Sequence, residues 1–226
     1  MGAAADAYRS LDEAWQLAID EAWRSWSAGS AGVGAVITDG AQRIIAVGRN
    51  RIAEPRSEPG VLAWTTLAHA EMNALAVLDL GADARTITTT FEPCLMCAAT
   101  ILQTGIPQVR YASADPFFDG LGDWFATLDV PGKPAPASSE LGGPIGAFAH
   151  VLHTSWLAFW ASNAEVMDAH QRLRPAHLRV AREIVEDEHL RAMAAEGAGV
   201  VDALERLWPS LRELADGSGG GSSAPG

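Results

Sequence analysis

Lysine is almost absent from this chain. Lys133 is the only lysine among 226 residues, and 16 basic residues stand against 28 acidic ones, giving a formal net charge of −12. No basic stretch is present that could neutralise a run of phosphates. A nucleic-acid partner is therefore disfavoured, although a local arginine cluster on one face is compatible with any net charge.

Long apolar runs are also missing, and none approaches the roughly 20 residues that span a bilayer. The opening residues Met-Gly-Ala-Ala-Ala-Asp lack the charged and apolar regions of a secretory signal. With 48% hydrophobic and 19% charged residues, the composition is that of a soluble globular protein. We expect a cytoplasmic protein without a membrane partner, built as one compact domain plus an elaboration.

Cysteine is scarce, and Cys94 and Cys97 are the only two. Two cysteines three positions apart give no framework of long-range disulfides, which leaves metal binding or redox chemistry. Pro93 favours a helix starting at this point, so both sulfurs are predicted on one face near its positive end, where thiolates are favoured. A thioredoxin-like redox pair has the same layout. A further ligand is therefore needed to distinguish a metal site from a redox pair.

His69 supplies a candidate for that ligand, because it is predicted near the start of the preceding helix. His69, Cys94 and Cys97 give zinc three protein ligands and leave its fourth position open, which is the catalytic arrangement. A structural site requires a fourth His or Cys, and no other cysteine exists. Glu71 is the obvious base, but residues two apart on a helix point about 200° apart. Periodicity alone therefore does not place Glu71 at the metal.

The pattern predicts the order αββαβαβ up to residue 112. The predicted elements are helix 6–28, strands 32–38 and 43–47, a helix capped by Thr65 or Thr66 and running to about Leu80, strand 86–90, the helix opened by Pro93, and strand 109–112. Residues 115–146 contain five prolines and predict a long irregular loop. Helical patterns then resume at 147–163, 164–188 and 198–215, with a break at Arg174-Pro175. We expect a core domain (1–122), a mainly helical C-terminal extension packed on it (123–216) and a flexible Gly/Ser-rich tail (217–226).

Residues 69–71 (His-Ala-Glu) and 93–97 (Pro-Cys-Leu-Met-Cys), with 21 residues between them, resemble the signature of the cytidine deaminase-like superfamily. The likeness extends over about 32–115 and is similar in layout to the branch of guanine deaminases and tRNA adenosine deaminases. It implies an α/β, three-layer α-β-α fold with a mixed sheet of about five strands, and Zn²⁺ held between two helix N-termini. It also implies that Glu71 carries protons between water, ring and leaving ammonia.

Six residues are expected to contact the substrate. They are Asn50, Trp64, Ala70, Asp115, Phe117 and Phe118. Members of the superfamily place an asparagine like Asn50 on the ring or its sugar, but such a residue also caps turns. Trp64 is placed to stack on a flat ring or simply to pack, and Asp115, Phe117, Phe118 and Asp119 form either a gate or an ordinary loop.

The remaining polar and aromatic residues are given structural roles. Glu92 is expected to support neighbouring helix-terminal amides. His150 and His153 share a helical face without acidic or sulfur partners, so a second metal is disfavoured. His170, His177 and His189 are predicted at the surface. Tryptophans in helical patterns, Trp23, Trp156, Trp160 and Trp208, predict core or subunit contacts, and the resemblance likewise points to a homodimer.

The sequence thus predicts a zinc-dependent hydrolytic deaminase for a free nucleobase, nucleoside or related small aminated heterocycle, with purine-type rings favoured. The alternatives are a tRNA adenosine deaminase, which requires a basic groove, and a cytosine- or cytidine-type deaminase. A redox cysteine pair, a catalytically dead zinc scaffold and a non-enzymatic zinc-stabilised binding protein are the other possibilities. In that binding protein the intact Glu71 would serve no purpose.

Overall fold

The computed structural model describes residues 2–56, 59–118, 120–128, 130–160 and 164–218. In chain order its elements are α1 (Ala3–Arg9), α2 (Glu13–Ser27), β1 (Gly34–Asp39), β2 (Ile44–Arg49), α3 (Ala70–Ala76), β3 (Ala84–Thr89), α4 (Leu95–Thr104), β4 (Gln108–Tyr111), α5 (Leu121–Thr127), β5 (Ala137–Glu140), α6 (Gly143–Trp160), α7 (Ala164–Leu173), α8 (Pro175–Glu186), α9 (Glu188–Ala195) and α10 (Val200–Ser218). None of the helices within these ranges is long and apolar enough to cross a membrane.

The five strands form one mixed sheet in the order β2-β1-β3-β4-β5. β1 pairs antiparallel with β2 and β3, while β3, β4 and β5 run parallel. All six residues of β1 are buried, because helices cover both faces of the sheet. The predicted mixed sheet of about five strands is confirmed.

Two hydrophobic clusters lie on opposite faces of the sheet. On one face α3, α4 and α5 pack against residues such as Ile37 and Ile87. On the other face α2 lies on β1 through Ala18 and Val36. A larger cluster centred on residues such as Phe148 joins α1, α2, α6, α8 and α10 behind it. The three-layer α-β-α arrangement is therefore confirmed, with an additional helical layer on the α2 side.

Gly48 on β2 allows α3 to lie very close to the sheet. A Cβ at this position would collide with the backbone of Ala70 and Ala74. Only glycine leaves room for such an approach of two backbones. Since α3 carries Glu71, this contact fixes how far the candidate site lies from the strands.

The prediction of a long irregular loop over 115–146 is wrong in three places, because this segment contains α5, the edge strand β5 and the first turn of α6. The sequence of β5 is Ala-Ser-Ser-Glu, which lacks the apolar alternation of a half-buried strand. Backbone pairing with β4 creates the strand instead. The sheet therefore continues past residue 122, and the division of the chain at that point stays a prediction.

Two predicted helix ends also differ from the structure. The helix expected from Thr65 or Thr66 to Leu80 is α3, which has His69 as its N-cap and ends at Ala76. The apolar residues after Ala76 do not pack against the rest of the protein, and Leu80 is fully exposed. At the other end of the chain, α10 runs two residues into the predicted tail, and residues 219–226 lie outside the described ranges. The predicted break at Arg174-Pro175 does separate α7 from α8.

Candidate active site

Three side chains bring their donor atoms together between the starts of α3 and α4. His69 Nδ1 lies 3.6 Å from Cys94 Sγ and 3.5 Å from Cys97 Sγ, and the two sulfurs are 3.7 Å apart. Tetrahedral zinc, with bonds of about 2.3 Å to sulfur and about 2.0 Å to nitrogen, separates two sulfurs by roughly 3.8 Å and sulfur from nitrogen by roughly 3.5 Å. The donor set therefore fits one zinc ion without rearrangement.

Both helix starts present a ligand as the residue immediately outside the helix. His69 is the N-cap of α3 and Cys94 the N-cap of α4, and both have extended backbone. The rule of 100° per residue does not apply to His69, because it precedes the helix. His69 Nδ1 and Glu71 Oε2 consequently both lie 3.5 Å from Cys97 Sγ. This geometry removes the objection that two residues two apart on a helix face opposite ways.

The two sulfurs are electrostatically coupled. The hydrogen bond with Cys97 lowers the pKa of Cys94 to about 4, and the same bond raises the pKa of Cys97. One thiolate is therefore present near neutral pH, and a bound cation favours loss of the second proton. His69, Cys94 and Cys97 lie close enough together to share a metal. Among the described residues, they are the one group of three or more His, Cys, Asp or Glu side chains that does so.

Glu71 lies beside this group at the bottom of the site and is almost completely buried. The hydroxyl of Thr89 at the end of β3 donates to Glu71 Oε1 at 2.8 Å, which leaves Oε2 on the side of Cys97. Burial raises the pKa of the Glu71 carboxyl above its usual range. A carboxyl with a raised pKa accepts and returns a proton more readily near neutral pH.

A cavity of about 160 Å³ opens above Glu71. The metal ligands His69 and Cys94 lie in its wall, together with the polar residues Asn50, Glu71, Glu92, Asp115 and His153. The apolar part of the wall includes Val33, Phe91, Trp156 and Leu157. Two of these apolar residues and His153 belong to α6, so the C-terminal helical segment reaches the site.

Asn50, Asp115 and Glu92 combine a position on the cavity with a structural task. Asn50 Oδ1 accepts from the backbone N–H of Ile52 at 3.0 Å, which is the turn-capping role weighed for it. Asp115 Oδ1 accepts from the backbone N–H of Phe117 at 2.8 Å. The carboxylate of Glu92 accepts from the backbone N–H of Asp115 and of Leu121, which agrees with the support role expected for it.

The other expected contacts lie away from the cavity wall. Trp64 has a positive φ of 53° and is 64% exposed, and it is not among the described residues of the wall. Stacking of Trp64 on a ring inside the cavity is therefore not supported. Ala70 is buried in the cluster beneath α3. Phe117 and Phe118 contact each other edge to face with centroids 4.7 Å apart, outside the wall, and Asp119 lies outside the described residues.

Histidines show where the sequence interpretation missed or misjudged residues. His170 and His177, predicted at the surface, are buried, because α7 and α8 turn these faces inward onto α6. Their rings lie 5.2 Å and 4.7 Å from that of His150. In the sequence, the spacing of His153 relates it only to His150 on the same helical face. That spacing does not indicate that α6 covers the zinc site. His189 is exposed as predicted.

Comparison with known families agrees with the geometry. A family model described as the zinc-binding region of cytidine and deoxycytidylate deaminases matches residues 9–113. The matched range contains His69, Glu71, Cys94 and Cys97 and ends before α6. Zn²⁺ is therefore the cofactor that the His69, Cys94 and Cys97 group holds.

Solved structures of related enzymes are also similar to the chain. One comes from a study of A-to-I editing by tRNA:A34 deaminases at the wobble position of transfer RNA, with 26% identity over 56% of this chain and 90% of that chain, at a TM-score of 0.45. A guanine deaminase from Nitrosomonas europaea has 17% identity over 64% and 83% of the two chains, at a TM-score of 0.46. A guanine deaminase from Bacillus subtilis has 24% identity over 57% and 85%, at a TM-score of 0.39.

Proposed function

We propose that the chain is a zinc-dependent hydrolytic deaminase of the cytidine deaminase-like superfamily and that it acts on a free, purine-type nucleobase or a related small aminated heterocycle. The observation that carries this proposal is the cavity of about 160 Å³. Drug-sized ligands occupy pockets that begin at roughly 300 Å³. A single ring system matches this smaller space better than a nucleotide does.

We propose that the residues around the cavity divide the hydrolysis between them. His69, Cys94 and Cys97 would hold the zinc ion, which would supply an activated water for the ring carbon that carries the amine. Glu71 takes one proton from that water at Oε2 and delivers it to a ring nitrogen, and then carries the proton of the added hydroxyl to the departing nitrogen. One water and one ring amine thus become a ring carbonyl and ammonia. The Thr89 hydroxyl holds the carboxylate in place through Oε1.

Asn50 is the proposed hydrogen-bond donor to the ring. Because the N–H of Ile52 donates to Asn50 Oδ1, the amide can present its nitrogen to an acceptor in the cavity. A ring nitrogen or carbonyl oxygen is such an acceptor. Asp115, which also lines the cavity, is the proposed acceptor for a ring N–H. Ala70, Trp64, Phe117 and Phe118 stay predictions as substrate contacts, with no contact in the described cavity to support them.

A small substrate also agrees with charge and with the cover over the site. The net charge of −12 with a single lysine disfavours the phosphate contacts that hold a tRNA. His153, Trp156 and Leu157 of α6 line the cavity, which restricts the room for a polynucleotide strand. These two features support a free heterocycle over a nucleotide within RNA.

An ammonia-release screen with zinc-loaded protein tests the proposal. The panel contains guanine, adenine, cytosine, their nucleosides, aminated pterin and triazine rings, and a tRNA anticodon stem-loop. We expect release from at least one free ring, with purine-type rings turned over fastest. Release from the stem-loop alone would replace this proposal by RNA editing, and release from cytosine or cytidine alone would replace the purine-type substrate.

The matched variant for this screen is Glu71→Gln, which preserves size but removes the proton-carrying carboxylate. We expect it to keep one zinc per chain and its melting temperature, and to lose at least about 100-fold in kcat. Wild-type turnover by this variant, with zinc retained, would show that Glu71 is not the proton carrier. Loss of zinc would instead assign Glu71 a structural role beside Cys97.

We also propose that the protein is a homodimer. Large apolar side chains lie exposed at the end of α6 and at the end of α7, with Phe159 64%, Trp160 54% and Leu173 57% exposed. The rings of Phe159 and Trp160 contact each other with centroids 5.4 Å apart, and exposed apolar patches commonly mark protein contacts. Light scattering should give twice the chain mass, and Trp160→Glu should shift it toward the monomer. A monomeric wild-type protein at micromolar concentration would refute the proposal.

A cytoplasmic location is proposed from the chemistry of the ligands. Zinc binding needs Cys94 and Cys97 as thiolates, and their sulfurs lie only 3.7 Å apart. A reducing compartment prevents their oxidation. Fractionation of cells that express the protein should therefore place it with cytoplasmic markers, and recovery in an oxidising compartment would contradict this assignment.

A further inference from the structure

The helix α6 contributes part of the cavity wall although it lies outside the family match. Its residues His153, Trp156 and Leu157 line the same cavity as Glu71, whereas the matched range ends at residue 113. Trp156 and Leu157 can offer mainly apolar surface. His153 is the one residue of this wall segment with two ring nitrogens that can form hydrogen bonds.

His153 packs against Phe91, which lies two residues after the end of β3. The two rings stack with centroids 4.0 Å apart and an interplanar angle of 24°. Phe91 itself lines the cavity. Its ring also contacts the ring of His150 edge to face, with centroids 5.4 Å apart. The imidazole is therefore packed in one orientation before any ligand enters, which reduces the entropy lost on binding.

His153 Nδ1 is buried and has no hydrogen-bond partner among the described residues. Buried polar atoms in proteins are nearly always paired with protein, water or ligand. Burial lowers the pKa of His153 to about 3, so the ring is neutral at physiological pH. A neutral imidazole offers one donor and one acceptor, and a heterocyclic base carries both kinds of group on its edges.

His150 and His170 also have a buried ring nitrogen without a partner among the described residues, Nε2 in each, but their positions differ from that of His153. His150 Nδ1 lies 2.9 Å from Ser113 Oγ, and His170 Nδ1 lies 3.5 Å from Thr154 Oγ1. Neither of them, nor His177, is among the described residues that line the cavity. Nor does His153 belong to the described group that can hold a metal. Of these four histidines, His153 alone lines the cavity, and its side chain is half-buried whereas the other three are buried.

We propose that His153 is a specificity-determining residue that hydrogen-bonds a ring nitrogen of the substrate, outside the carbon and amine that react. This inference rests on the proposed function, because it names a contact within the same site. The substrate class is a heteroaromatic amine with a second polar edge. A ring without such an edge would leave the imidazole unpaired and would bind more weakly.

The test compares three variants of the zinc-loaded, full-length protein. His153→Phe preserves the stack on Phe91 and removes both nitrogens, whereas His153→Asn restores an amide that can donate or accept. His189→Phe is the matched control, since His189 is exposed on α9. Measurements are kcat and KM for the best ring of the panel and for its deaza analogues, in which carbon replaces one ring nitrogen, together with zinc content and melting temperature.

For His153→Phe we expect KM to rise about 10- to 100-fold with a smaller change in kcat, as loss of a buried hydrogen bond predicts. His153→Asn should recover part of that loss, and His189→Phe should match the wild type. One deaza analogue should bind wild-type protein as weakly as the parent ring binds His153→Phe, and should be insensitive to that variant. This insensitivity is an effect that a merely structural histidine would not produce.

Two failures are distinguishable. If the wild type turns over a ring and His153→Phe keeps its KM within twofold while folded and zinc-loaded, the role of His153 is refuted and the proposed function stands. If His153→Phe does not fold, His153→Asn and the deaza analogues provide the test. Equal KM values for the parent ring and all its deaza analogues would then refute the contact. A wild-type enzyme that is silent on every free ring refutes the proposed substrate class and this inference together.

Discussion

Two regions that meet at the cavity differ in how completely their buried polar side-chain atoms are hydrogen-bonded. In the zinc-site core (residues 34–111, β1 to β4 with α3 and α4), Asn73 illustrates full pairing: its Oδ1 accepts from Leu62 N–H, and its Nδ2 donates to the carbonyls of Arg49 and Leu62. Among the described residues of this core, Thr88 Oγ1 is the one buried side-chain nitrogen or oxygen without a partner. The catalytic side of the cavity is therefore built from groups whose positions are fixed by their hydrogen bonds.

The helical layer (residues 143–218, α6 to α10) leaves more such atoms unpaired. Among its described residues these are His150 Nε2, His153 Nδ1, His170 Nε2 and Trp208 Nε1. Internal water or a ligand must supply their partners. Hydrogen bonds within the chain therefore fix the core side of the cavity, whereas the helical layer has buried polar atoms without a partner among its described residues.

The largest effect we expect comes from removing a metal ligand of the zinc-site core. Cys97→Ser should reduce zinc from one ion per chain to a small fraction, and lower ammonia release at least about 1,000-fold, because a hydroxyl is a poor zinc ligand. Elemental analysis after gel filtration measures the zinc, and circular dichroism checks that the helical layer stays folded. Met96→Leu, one position away on the same helix, should leave both quantities unchanged. Zinc retained by Cys97→Ser would contradict the assigned site.

A cavity in the helical layer should be the next largest perturbation. Phe148 on α6 is completely buried in the cluster shared by α1, α2, α6, α8 and α10. Phe148→Ala should lower the free energy of unfolding by about 3–5 kcal/mol, measured by urea titration. Leu80→Ala in the loop after α3 should change it by less than about 0.5 kcal/mol, since Leu80 is fully exposed. Equal effects would show that the helical layer is not packed as described.

These regions also differ in how far the sequence alone could predict them. His69, Cys94 and Cys97 were identified because zinc chemistry restricts ligand type and spacing. Their convergence at two helix starts follows from a fold that the motif implies. By contrast, the burial of His177 depends on how α8 packs on α6, and no local spacing encodes that contact. The polar edge strand β5 likewise forms because it pairs with β4. The pattern of apolar residues in the sequence does not indicate this pairing.

The buried histidines of the helical layer should make stability depend on pH. Burial lowers the pKa of His177 to about 4, below its value of about 6.5 in the unfolded chain. The unfolded state therefore binds the proton first as pH falls. Stability is complete above about pH 6.5 and is lost progressively toward pH 4, by up to about 1.4 kcal/mol per pH unit for each such histidine.

A pair of variants isolates this contribution. His177→Gln should reduce the slope of unfolding free energy against pH between about 6.5 and 4.5 by one histidine's share. His189→Gln should leave the slope unchanged, because His189 is exposed. Urea titrations at four or five pH values measure both. An unchanged slope in His177→Gln would mean that His177 is hydrated in the folded protein, and the contrast between the two regions would weaken.

The smallest effect concerns Asp187, where the helical layer does pair its charges. Asp187 is the N-cap of α9, accepting from the N–H groups of His189 and Leu190, and its carboxylate also binds Arg206 through two contacts of 2.8 Å. The hydrogen bonds with Arg206 lower the pKa of Asp187 below its usual range. This stabilisation is present above about pH 4 and is lost as pH falls through the lowered folded value.

Asp187→Asn retains a good N-cap but removes the ion pair, so the free energy of unfolding at pH 7 should fall by about 0.5–1 kcal/mol. The difference from wild type should shrink below about pH 4, where the unfolded-state carboxyl takes up its proton. Asp168→Asn is the control, since the pair of Asp168 with Arg172 is exposed on both sides and should contribute almost nothing. An equal loss in both variants would show that the two contacts and the partial burial of Asp187 add nothing to its ion pair with Arg206.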